Sequence, residues 1–314
     1  MKYIVTGGAG FIGSHITDAL ISQGHQVAVI DDLSSGKKDR FNPKAEFHQL
    51  DIVDLAAIDP IFQGVDGVFH VAAKARIQPS FKDPDAYFRT NVIGTRNVLM
   101  AAKQHGVKRV IYSASSSAYG PVDQLPLQED FKVPSQSLHP YGSTKRMGEM
   151  LMRDLGKVTG GPETVCLRYF NVYGPRQTNT ADGAYATVVG IFLDFLKEGK
   201  PLTIVPSGHQ RRDFTWVGDV ANANLLAMNS LKVGSGEIIN IGGGKNYSIW
   251  DVAKLILQVP LGTAPEELLA SSKCVLAPER MGEVAETLAD VSTAKKLLDW
   301  EPKVNFADGI KSLL

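Results

Sequence analysis

A tyrosine and a lysine four residues apart, with a run of serines before them, are well suited to chemistry. Tyr141 and Lys145 would share one face if the chain is helical from residue 143 onward. A free tyrosine has a pKa of about 10, but an adjacent ammonium and an oxidised nicotinamide would both favour its phenolate. A hydroxyl from 115–117 would hydrogen-bond the reacting oxygen. The pattern predicts acid–base chemistry on an alcohol or a ketone, provided that a nicotinamide binds nearby; the alternative is a surface pair without function.

A glycine-rich turn near the N-terminus predicts where such a cofactor would bind. Gly7, Gly10 and Gly13 follow an apolar strand and precede a helical pattern. Glycines in this position let the backbone approach a pyrophosphate, and the free N–H groups of the helix N-terminus would stabilise its charge. Such a glycine spacing often occurs by chance, but the strand before it and the helix after it make it stronger evidence for a dinucleotide site.

An acidic pair after the second strand indicates which dinucleotide is bound. Asp31 follows Gly13 by 18 residues, at the position where a carboxylate accepts hydrogen bonds from an unmodified adenosine ribose. Asp32 doubles the negative charge, which would repel a 2′-phosphate. NAD is therefore favoured over NADP, with Lys37 and Lys38 as the nearby cations that weaken this preference.

Two further strand ends are placed to frame the cofactor. Asp51 and Ile52 follow the third predicted strand and would frame the adenine, unless Asp51 instead caps a helix. The small residues of 71–73 would let the backbone run flat beside the cofactor. His70 precedes them, and we expect it to be packed at the end of its strand rather than to act as a ligand or a base.

Short apolar runs alternate with amphipathic stretches over the first half of the chain. These runs are rich in Val, Ile, Phe and Tyr, as expected of strands covered on both faces. Strands are predicted over 3–6, 26–30, 46–50, 67–71, 109–113 and 164–168, and helices over 12–23, 86–105 and 143–155. Because alternating strands and helices form right-handed βαβ units, the sequence predicts an α/β fold with a Rossmann-type, doubly wound parallel sheet.

The pattern changes after about residue 168. Residues 171–183 are rich in Gly, Pro, Asn and Thr, which is typical of a long functional loop. Helices are predicted over 184–198, 248–257 and 290–298, a strand over 201–205, and a capping box at Ser248 and Asp251. We expect residues 1–170 to form the dinucleotide-binding domain and 171–314 a smaller α+β substrate lobe, with 213–240 packing back on the first domain.

Composition excludes several classes of protein. Hydrophobic residues make up 44% and charged residues 21% of the 314 residues, as in ordinary globular enzymes. The 33 basic and 33 acidic residues cancel, which argues against a nucleic-acid or membrane partner. Cys166 and Cys274 are expected to be thiols, with no disulfide and no metal site. No targeting segment is evident, so a cytoplasmic location is expected.

Together these motifs resemble the extended short-chain dehydrogenase/reductase family and, within it, the nucleotide-sugar epimerases. The resemblance runs essentially end to end. It rests on 6–13, 31–36, 51–52, 70–73, Asn91, 113–120, 141–145, 167–174, 212–214 and 280–283. It implies a UDP-sugar substrate, NAD as cofactor, and a homodimer paired through two helices of the first domain.

The resemblance also assigns roles to individual residues. It implies that Ser115, Tyr141 and Lys145 are catalytic. Related sugar dehydratases carry an Asp-Glu pair at the positions of Ser116 and Ser117, so two serines there argue for epimerisation over dehydration. The implied NAD contacts are Gly7, Gly10, Phe11, Ile12, Gly13, Asp31, Asp32, Leu33, Ser35, Gly36, Asp51, Ile52, Val71, Ala72, Ala73, Asn91, Ser113, Tyr141, Lys145 and Phe170, and the implied substrate contacts are Ser115, Asn171, Arg212, Arg280, Glu283 and Thr287.

The chemistry of the substrate residues agrees with this assignment, because two phosphates need forked cationic donors. Arg211 is the neighbour that could replace Arg212. Thr287, seven residues after Arg280, occupies the position that sets pocket size in the family, and a small residue there leaves space for an N-acetyl group. The implied reaction is C4 epimerisation of UDP-glucose and UDP-GlcNAc through a 4-keto sugar.

Two alternatives stay open. Arg76 and Ser80 would suit the carboxylate of a UDP-glucuronate epimerase or decarboxylase. A non-catalytic NAD-binding protein on the same fold is the other alternative, since a fold does not determine function.

Overall fold

A parallel sheet of seven strands forms the centre of the computed structural model, which describes residues 1–121, 124–131, 137–278, 282 and 284–314. In chain order the strands are β1 (Lys2–Thr6), β2 (Gln26–Ile30), β3 (Glu46–His48), β4 (Gly67–His70), β5 (Arg109–Ser115), β6 (Glu163–Tyr169), β7 (Val172–Tyr173), β8 (Leu202–Ile204), β9 (Arg211–Asp213), β10 (Thr215–Trp216), β11 (Ser235–Ile241), β12 (Asn246–Ser248) and β13 (Cys274–Leu276).

The α-helices complete the set of elements. They are α1 (Phe11–Ser22), α2 (Leu55–Ile58), α3 (Ile77–Lys82), α4 (Pro84–Phe88), α5 (Thr95–Gln104), α6 (Pro140–Gly156), α7 (Val188–Lys197), α8 (Val217–Asn229), α9 (Ile249–Ile256), α10 (Pro265–Ala270), α11 (Ser292–Leu298) and α12 (Phe306–Lys311). Within the described residues, no helix is both long enough and apolar enough to cross a membrane.

The strand order confirms the predicted doubly wound sheet. The strands lie in the order β11-β6-β5-β4-β1-β2-β3, and every neighbouring pair is parallel. The order reverses between β1 and β4, and ligands of such sheets bind beyond the carboxyl ends of the strands at this reversal. The motif after β1 and the small residues after β4 therefore flank the same crevice.

Both faces of the sheet are buried, as expected of a parallel sheet. Ile4 and Val5 are fully buried in two different clusters, because successive side chains of a strand point to opposite faces. One cluster includes Ile16 of α1 and Val220 of α8, and the other includes Val98 of α5. Helices on both faces thus fix the strand ends that carry the site.

The C-terminal residues form a further hydrophobic cluster. Tyr173, Phe214 and Phe306 pack their rings together, with Phe214 and Phe306 stacked at 4.4 Å between centroids. Three two-stranded sheets surround them: β7 with β10, β8 with β13, and β9 with β12. In addition, Thr215 donates a hydrogen bond to the carbonyl oxygen of Phe170 at 2.7 Å, which links this cluster to the end of β6.

Most predicted elements are confirmed with shifts at their ends, such as α6, which begins at Pro140 rather than at residue 143. Two helices differ further. The helix predicted over 86–105 is α4 and α5 joined by a π-helical stretch, Arg89–Gly94. The helix predicted from residue 184 begins only at Val188, because a 3-10 segment, Thr180–Tyr185, precedes it. The predicted capping box at Ser248 and Asp251 is present. Cys166 and Cys274 are free thiols, as predicted, and both are buried.

Candidate active site

A cavity of about 490 Å³ lies beyond the carboxyl ends of the central strands. Its volume is within the range of small-molecule sites. It reaches from the turn after β1, past α6 and the end of β5, to the segments around β9 and 284–287. The predicted residues that line it are Gly7, Gly10, Phe11, Ile12, Gly13, Asp31, Asp32, Ser35, Asp51, Ile52, Val71, Ala72, Ala73, Ser115, Tyr141, Asn171, Arg212 and Thr287. One cavity therefore contains most of both predicted residue sets.

The glycine turn is a cradle that side chains would fill. A Cβ atom on Gly13 would lie 2.1 Å from the carbonyl oxygen of Gly7, and one on Gly7 would lie 2.7 Å from the nitrogen of Ala72. Gly7 also has a φ of +72°, which favours glycine. The N-cap of α1 is Gly10, and no side chain caps the helix there. The first N–H groups of α1 thus face the cavity and suit a pyrophosphate.

Asp31 is buried at the end of β2 and holds the turn around it. Its Oδ2 accepts a hydrogen bond from the Ala9 N–H at 3.0 Å, and its Oδ1 accepts one from the Leu33 N–H at 2.8 Å. A Cβ atom on Gly36 would lie 2.7 Å from Oδ1. Burial raises the pKa of Asp31, while these two hydrogen bonds lower it. Leu33 and Gly36 thus support Asp31 and are not among the lining residues.

Two cations near the acidic pair, Lys37 and Arg40, form ion pairs with another carboxylate. Lys37 lies 2.9 Å from Asp182, and Arg40 lies 3.3 Å from it. Asp182 belongs to the 3-10 segment Thr180–Tyr185, far along the chain. Because Asp182 offsets their charge, the preference for NAD over NADP that Asp31 implies is strengthened.

Residues behind the wall fix the strand ends. His70 bonds Thr6 through Nδ1 at 2.8 Å and Thr95 through Nε2 at 2.9 Å, and burial lowers its pKa to about 3. It is therefore a neutral, packed residue, as predicted. Asn91 accepts a hydrogen bond from the Lys74 N–H and donates to the Lys74 carbonyl oxygen, so it holds the segment after β4 without lining the cavity.

The start of α6 brings Tyr141 to the end of β5. His139 caps the helix by accepting a hydrogen bond from the Gly142 N–H at 2.9 Å, and Pro140 occupies the first turn, where proline is favoured. A Cβ atom on Gly142 would lie 2.6 Å from the carbonyl oxygen of Ser117, so glycine permits this close approach. Tyr141 and Ser115 thereby line the same cavity, and Ser115 lowers the pKa of the Tyr141 hydroxyl.

The two partners of the predicted catalytic pair have different surroundings. Burial raises the pKa of Tyr141, whereas the hydrogen bond with Ser115 and the charge of Arg76 lower it. Lys145 is buried beneath the cavity wall, where its Nζ donates to the Ser113 carbonyl oxygen at 2.8 Å, and burial lowers its pKa to about 7. The effect of Lys145 on Tyr141 therefore stays a prediction.

Strand β9 presents Arg212 to the cavity and turns Arg211 away. Arg211 donates to the side chain of Asn246 at 2.8 Å and lies 3.6 Å from Asp251, outside the lining. Successive strand residues point to opposite sides, so Arg212 lines the cavity, where its Nη1 also donates to the Arg211 and Ala285 carbonyl oxygens.

Asp213, buried next to Arg212, anchors this strand. It accepts hydrogen bonds from the N–H groups of Gly243, Gly244 and Ala289, and burial raises its pKa to about 6. Asn171 donates to the Asp213 carbonyl oxygen at 3.0 Å. Three segments that are distant in sequence are thus fixed around Arg212.

A match to a family model covers most of this architecture. Residues 3–242 match the model of the NAD dependent epimerase/dehydratase family. The chain belongs to this family. The match confirms the resemblance to the extended short-chain dehydrogenase/reductases and the expectation of NAD as cofactor. The glycine cradle and Asp31 fit that cofactor, since they offer backbone donors for the pyrophosphate and a carboxylate for the ribose.

Relatives of this family member span its whole length. A putative UDP-glucose 4-epimerase of Methanocaldococcus jannaschii is 36% identical, over 99% of this chain and 96% of its own. A UDP-glucuronate 4-epimerase of Thermodesulfobacterium geofontis is 35% identical, over 98% of this chain and 94% of its own. A Thermotoga maritima UDP-glucose 4-epimerase, solved with UDP-glucose, is 37% identical with a TM-score of 0.87, over 99% of this chain and 96% of its own.

Some predicted residues of the enzyme lie behind the lining or outside the described part. Lys145, Ser113, Asn91 and Phe170 are buried and do not line the cavity. Arg280 and Glu283 lie outside the described residues, so their placement stays a prediction.

Several lining residues were not predicted from the sequence. They include Arg40, Thr178, Tyr185, Gln210 and Phe214. Thr178 lies in the loop whose composition was recognised as functional, and Phe214 lies in the motif 212–214 beside Arg212, so each had a local signal. Arg40, Tyr185 and Gln210 lie in segments without a motif, and folding brings them to the cavity.

Proposed function

We propose that this enzyme inverts C4 of UDP-hexoses, interconverting UDP-glucose with UDP-galactose and UDP-GlcNAc with UDP-GalNAc. The observation that carries this proposal is that Tyr141 and Ser115 line the same cavity as the glycine cradle and Arg212. Relatives named UDP-glucose 4-epimerase support the reaction type. The sugar specificity is the finer part of the proposal and rests on Thr287.

The proposed reaction needs one base and one hydride acceptor. Bound NAD supplies the acceptor for the hydride that leaves C4. The Tyr141 phenolate takes the proton of the C4 hydroxyl, and Ser115 hydrogen-bonds the oxygen as it becomes a carbonyl. The 4-keto sugar then turns about its diphosphate, and hydride and proton return to the opposite face. The sugar and the cofactor end in their starting oxidation states, so a catalytic amount of retained NAD is sufficient.

The proposed grip on the substrate is unequal along its length. Arg212 provides a forked cation for the diphosphate, and Asn171 lines the cavity beside it. Thr287 lines the sugar end, where its Oγ1 lies 3.4 Å from the Asp213 nitrogen. A small residue at this position leaves volume that an N-acetyl group can fill. A firm diphosphate grip and a loose sugar pocket are what rotation of the 4-keto sugar requires.

The test follows the anomeric protons by NMR in purified protein without added NAD. UDP-glucose and UDP-GlcNAc are supplied separately, and appearance of the galacto epimers is the expected result. Tyr141→Phe keeps the ring and removes the proton acceptor, so we expect a loss of about 10²–10⁴-fold in kcat. If neither sugar changes, even after NAD is supplied, the proposal is wrong.

UDP-glucuronate belongs in the same assay as a third substrate. The uronate alternative was based on Arg76 and Ser80, but Ser80 is buried, donates to the Ile77 carbonyl oxygen at 2.7 Å and is not among the lining residues. Of these two residues only Arg76 remains in its favour, and a relative named UDP-glucuronate 4-epimerase supports it as well. Epimerisation or decarboxylation of UDP-glucuronate alone would replace the hexose proposal, and absence of nicotinamide reduction by any of the three sugars would indicate a non-catalytic role.

A further inference from the structure

Arg76 has a backbone conformation that arginine rarely adopts. Its φ is 82° and its ψ is 146°, directly before α3. A side chain with a Cβ atom is strained at such a φ, and strained residues concentrate where the surrounding structure uses them. The hydroxyl of Tyr87 holds this turn by donating to the Ala75 carbonyl oxygen and, at 3.0 Å, to that of Arg76. The turn is therefore a fixed feature that directs the Arg76 side chain.

The guanidinium of Arg76 is anchored but has no acidic partner. Its Nε donates to the Tyr185 carbonyl oxygen at 2.9 Å, and its Nη2 donates to Thr178 Oγ1 at 3.2 Å. No carboxylate of the described residues forms an ion pair with it, and the side chain lines the cavity. A desolvated charge is normally balanced by an opposite charge. The guanidinium of Arg76 has no such negatively charged group beside it among the described residues.

Tyr141 is the group that can acquire the missing negative charge. The ring of Tyr87 meets the ring of Tyr141 edge-on at 6.1 Å, so the residue that holds the Arg76 turn also contacts the catalytic tyrosine. The charge of Arg76 lowers the pKa of Tyr141, and a charge on Tyr141 raises the pKa of Arg76, so each favours the charged form of the other. A phenolate on Tyr141 would therefore stabilise, and be stabilised by, the guanidinium.

The other groups around Tyr141 are neutral or occupied. Ser115 and Tyr112 of β5 bear no charge at neutral pH, and burial raises the pKa of Tyr112 further. The His139 ring is stacked on Tyr141 at 6.1 Å between centroids, and its Nδ1 accepts the cap hydrogen bond from the Gly142 N–H. On α6, Lys145 donates to the Ser113 carbonyl oxygen, and Glu149 is paired with Arg168 at 2.7 Å.

We propose that Arg76 is a positioning residue that holds Tyr141 toward its phenolate form, and that the hydroxyl of Tyr87 fixes Arg76 for this task. The inference rests on the proposed function only in taking Tyr141 as the base. Arg76 acts through Tyr141 whether or not a sugar is bound, which separates this role from that of a ligand for a sugar carboxylate.

The test measures ionisation of Tyr141 directly, in the NAD-loaded protein and without turnover. The tyrosinate absorbance is titrated with pH, and the titration of Tyr141→Phe is subtracted to isolate Tyr141. We expect Arg76→Gln to raise the pKa of Tyr141 by about one unit or more, and Arg76→Lys, which keeps the charge, to raise it less. Tyr87→Phe keeps the ring and frees the turn, so a smaller rise is expected. Lys82→Gln, which removes an exposed cation from α3, is the matched control.

Outcomes of this titration decide the inference independently of the reaction. An unchanged pKa in Arg76→Gln overturns it; if that variant does not fold, an unchanged pKa in Tyr87→Phe does so. Turnover adds a second readout: kcat of Arg76→Gln should fall at neutral pH and recover as pH rises, with KM for UDP-glucose little changed. A rise in KM confined to UDP-glucuronate, with the Tyr141 pKa unmoved, would make Arg76 a carboxylate ligand instead. If wild type epimerises no sugar, the proposed function fails while the titration still gives its answer.

Discussion

The cofactor end of the cavity and the end that we propose for the substrate (the substrate end) are constructed differently. At the cofactor end, the turn after β1 shapes the site with backbone atoms, and Asp31 after the next strand holds that turn. At the substrate end, Asn171, Arg212 and Thr287 come from segments far apart and are held by long-range hydrogen bonds. The first kind of site tolerates almost no added atom, whereas the second can change its shape with single side chains. This difference suits a tightly held cofactor and the rotation of the sugar in the reaction that we propose.

The largest effect is expected from adding one methyl group at the cofactor end. In Gly13→Ala the new Cβ would lie 2.1 Å from the Gly7 carbonyl oxygen, so the turn must open. We expect loss of retained NAD after gel filtration and a lower Tm, with destabilisation of about 3 kcal/mol or more. Gly262→Ala is the control, because no atom lies within 4 Å of its added Cβ. If the Gly13→Ala protein retained NAD as well as wild type does, the cofactor end would not be the less tolerant of the two ends.

The next effect concerns the carboxylate at the end of β2. Asp31→Asn loses the charged acceptor and places an amide group against two N–H donors, so we expect NAD affinity to fall about 10–100-fold. Asp39→Asn removes an exposed carboxylate of the same segment as a control. Because burial raises the pKa of Asp31, wild-type affinity should start to fall, as pH is lowered, above the range of an ordinary aspartate. Calorimetry across pH would show this fall in wild type and not in Asp31→Asn.

A change of selectivity without loss of the cofactor is expected at the substrate end. Thr287→Tyr fills the volume proposed for the N-acetyl group, so kcat/KM for UDP-GlcNAc should drop about 10-fold or more relative to UDP-glucose. Thr287→Ser keeps the hydroxyl and the space, and should keep both activities. Full N-acetyl activity in Thr287→Tyr would show that this position does not set the pocket.

The smallest effect should come from the ion pairs that Asp182, in the segment before α7, forms with Lys37 and Arg40 near the cofactor end. Asp182→Asn weakens the ion pairs with Lys37 and Arg40, which contribute about 1 kcal/mol or less. Burial raises the pKa of Asp182, but hydrogen bonds from Lys37 and the Asn179 N–H outweigh this and lower it. A lowered carboxyl pKa means that the stabilisation is complete above about pH 4 and is lost as pH falls below it. Thermal unfolding of wild type and Asp182→Asn should therefore converge at low pH.

The cofactor end could be predicted from the sequence because its signals are local. The glycine spacing, the preceding strand and Asp31 all lie within about 30 residues, and short apolar runs and helical patterns predicted most strands and helices around them. The π-helical stretch at Arg89–Gly94 was not predicted, since the pattern of apolar residues does not distinguish it from an α-helix over so short a length.

The substrate end could be predicted only by resemblance. Arg76 meets Tyr185 across a separation of 109 residues, and nothing in either segment signals that contact. Whether Arg211 or Arg212 lines the cavity likewise depends on which face of β9 is turned toward it. Such information is carried by the packing of segments rather than by any one of them.

The sheet order has a consequence for how the chain is made. β6 has a partner on its outer side only when β11 arrives, about 70 residues later in the chain. Until then the backbone groups of a buried, apolar strand form an open edge, which is a template for pairing with other chains. During synthesis the sheet of the first 170 residues would therefore keep an open edge until β11 has been made. A fragment that ends at residue 170 would be prone to aggregation.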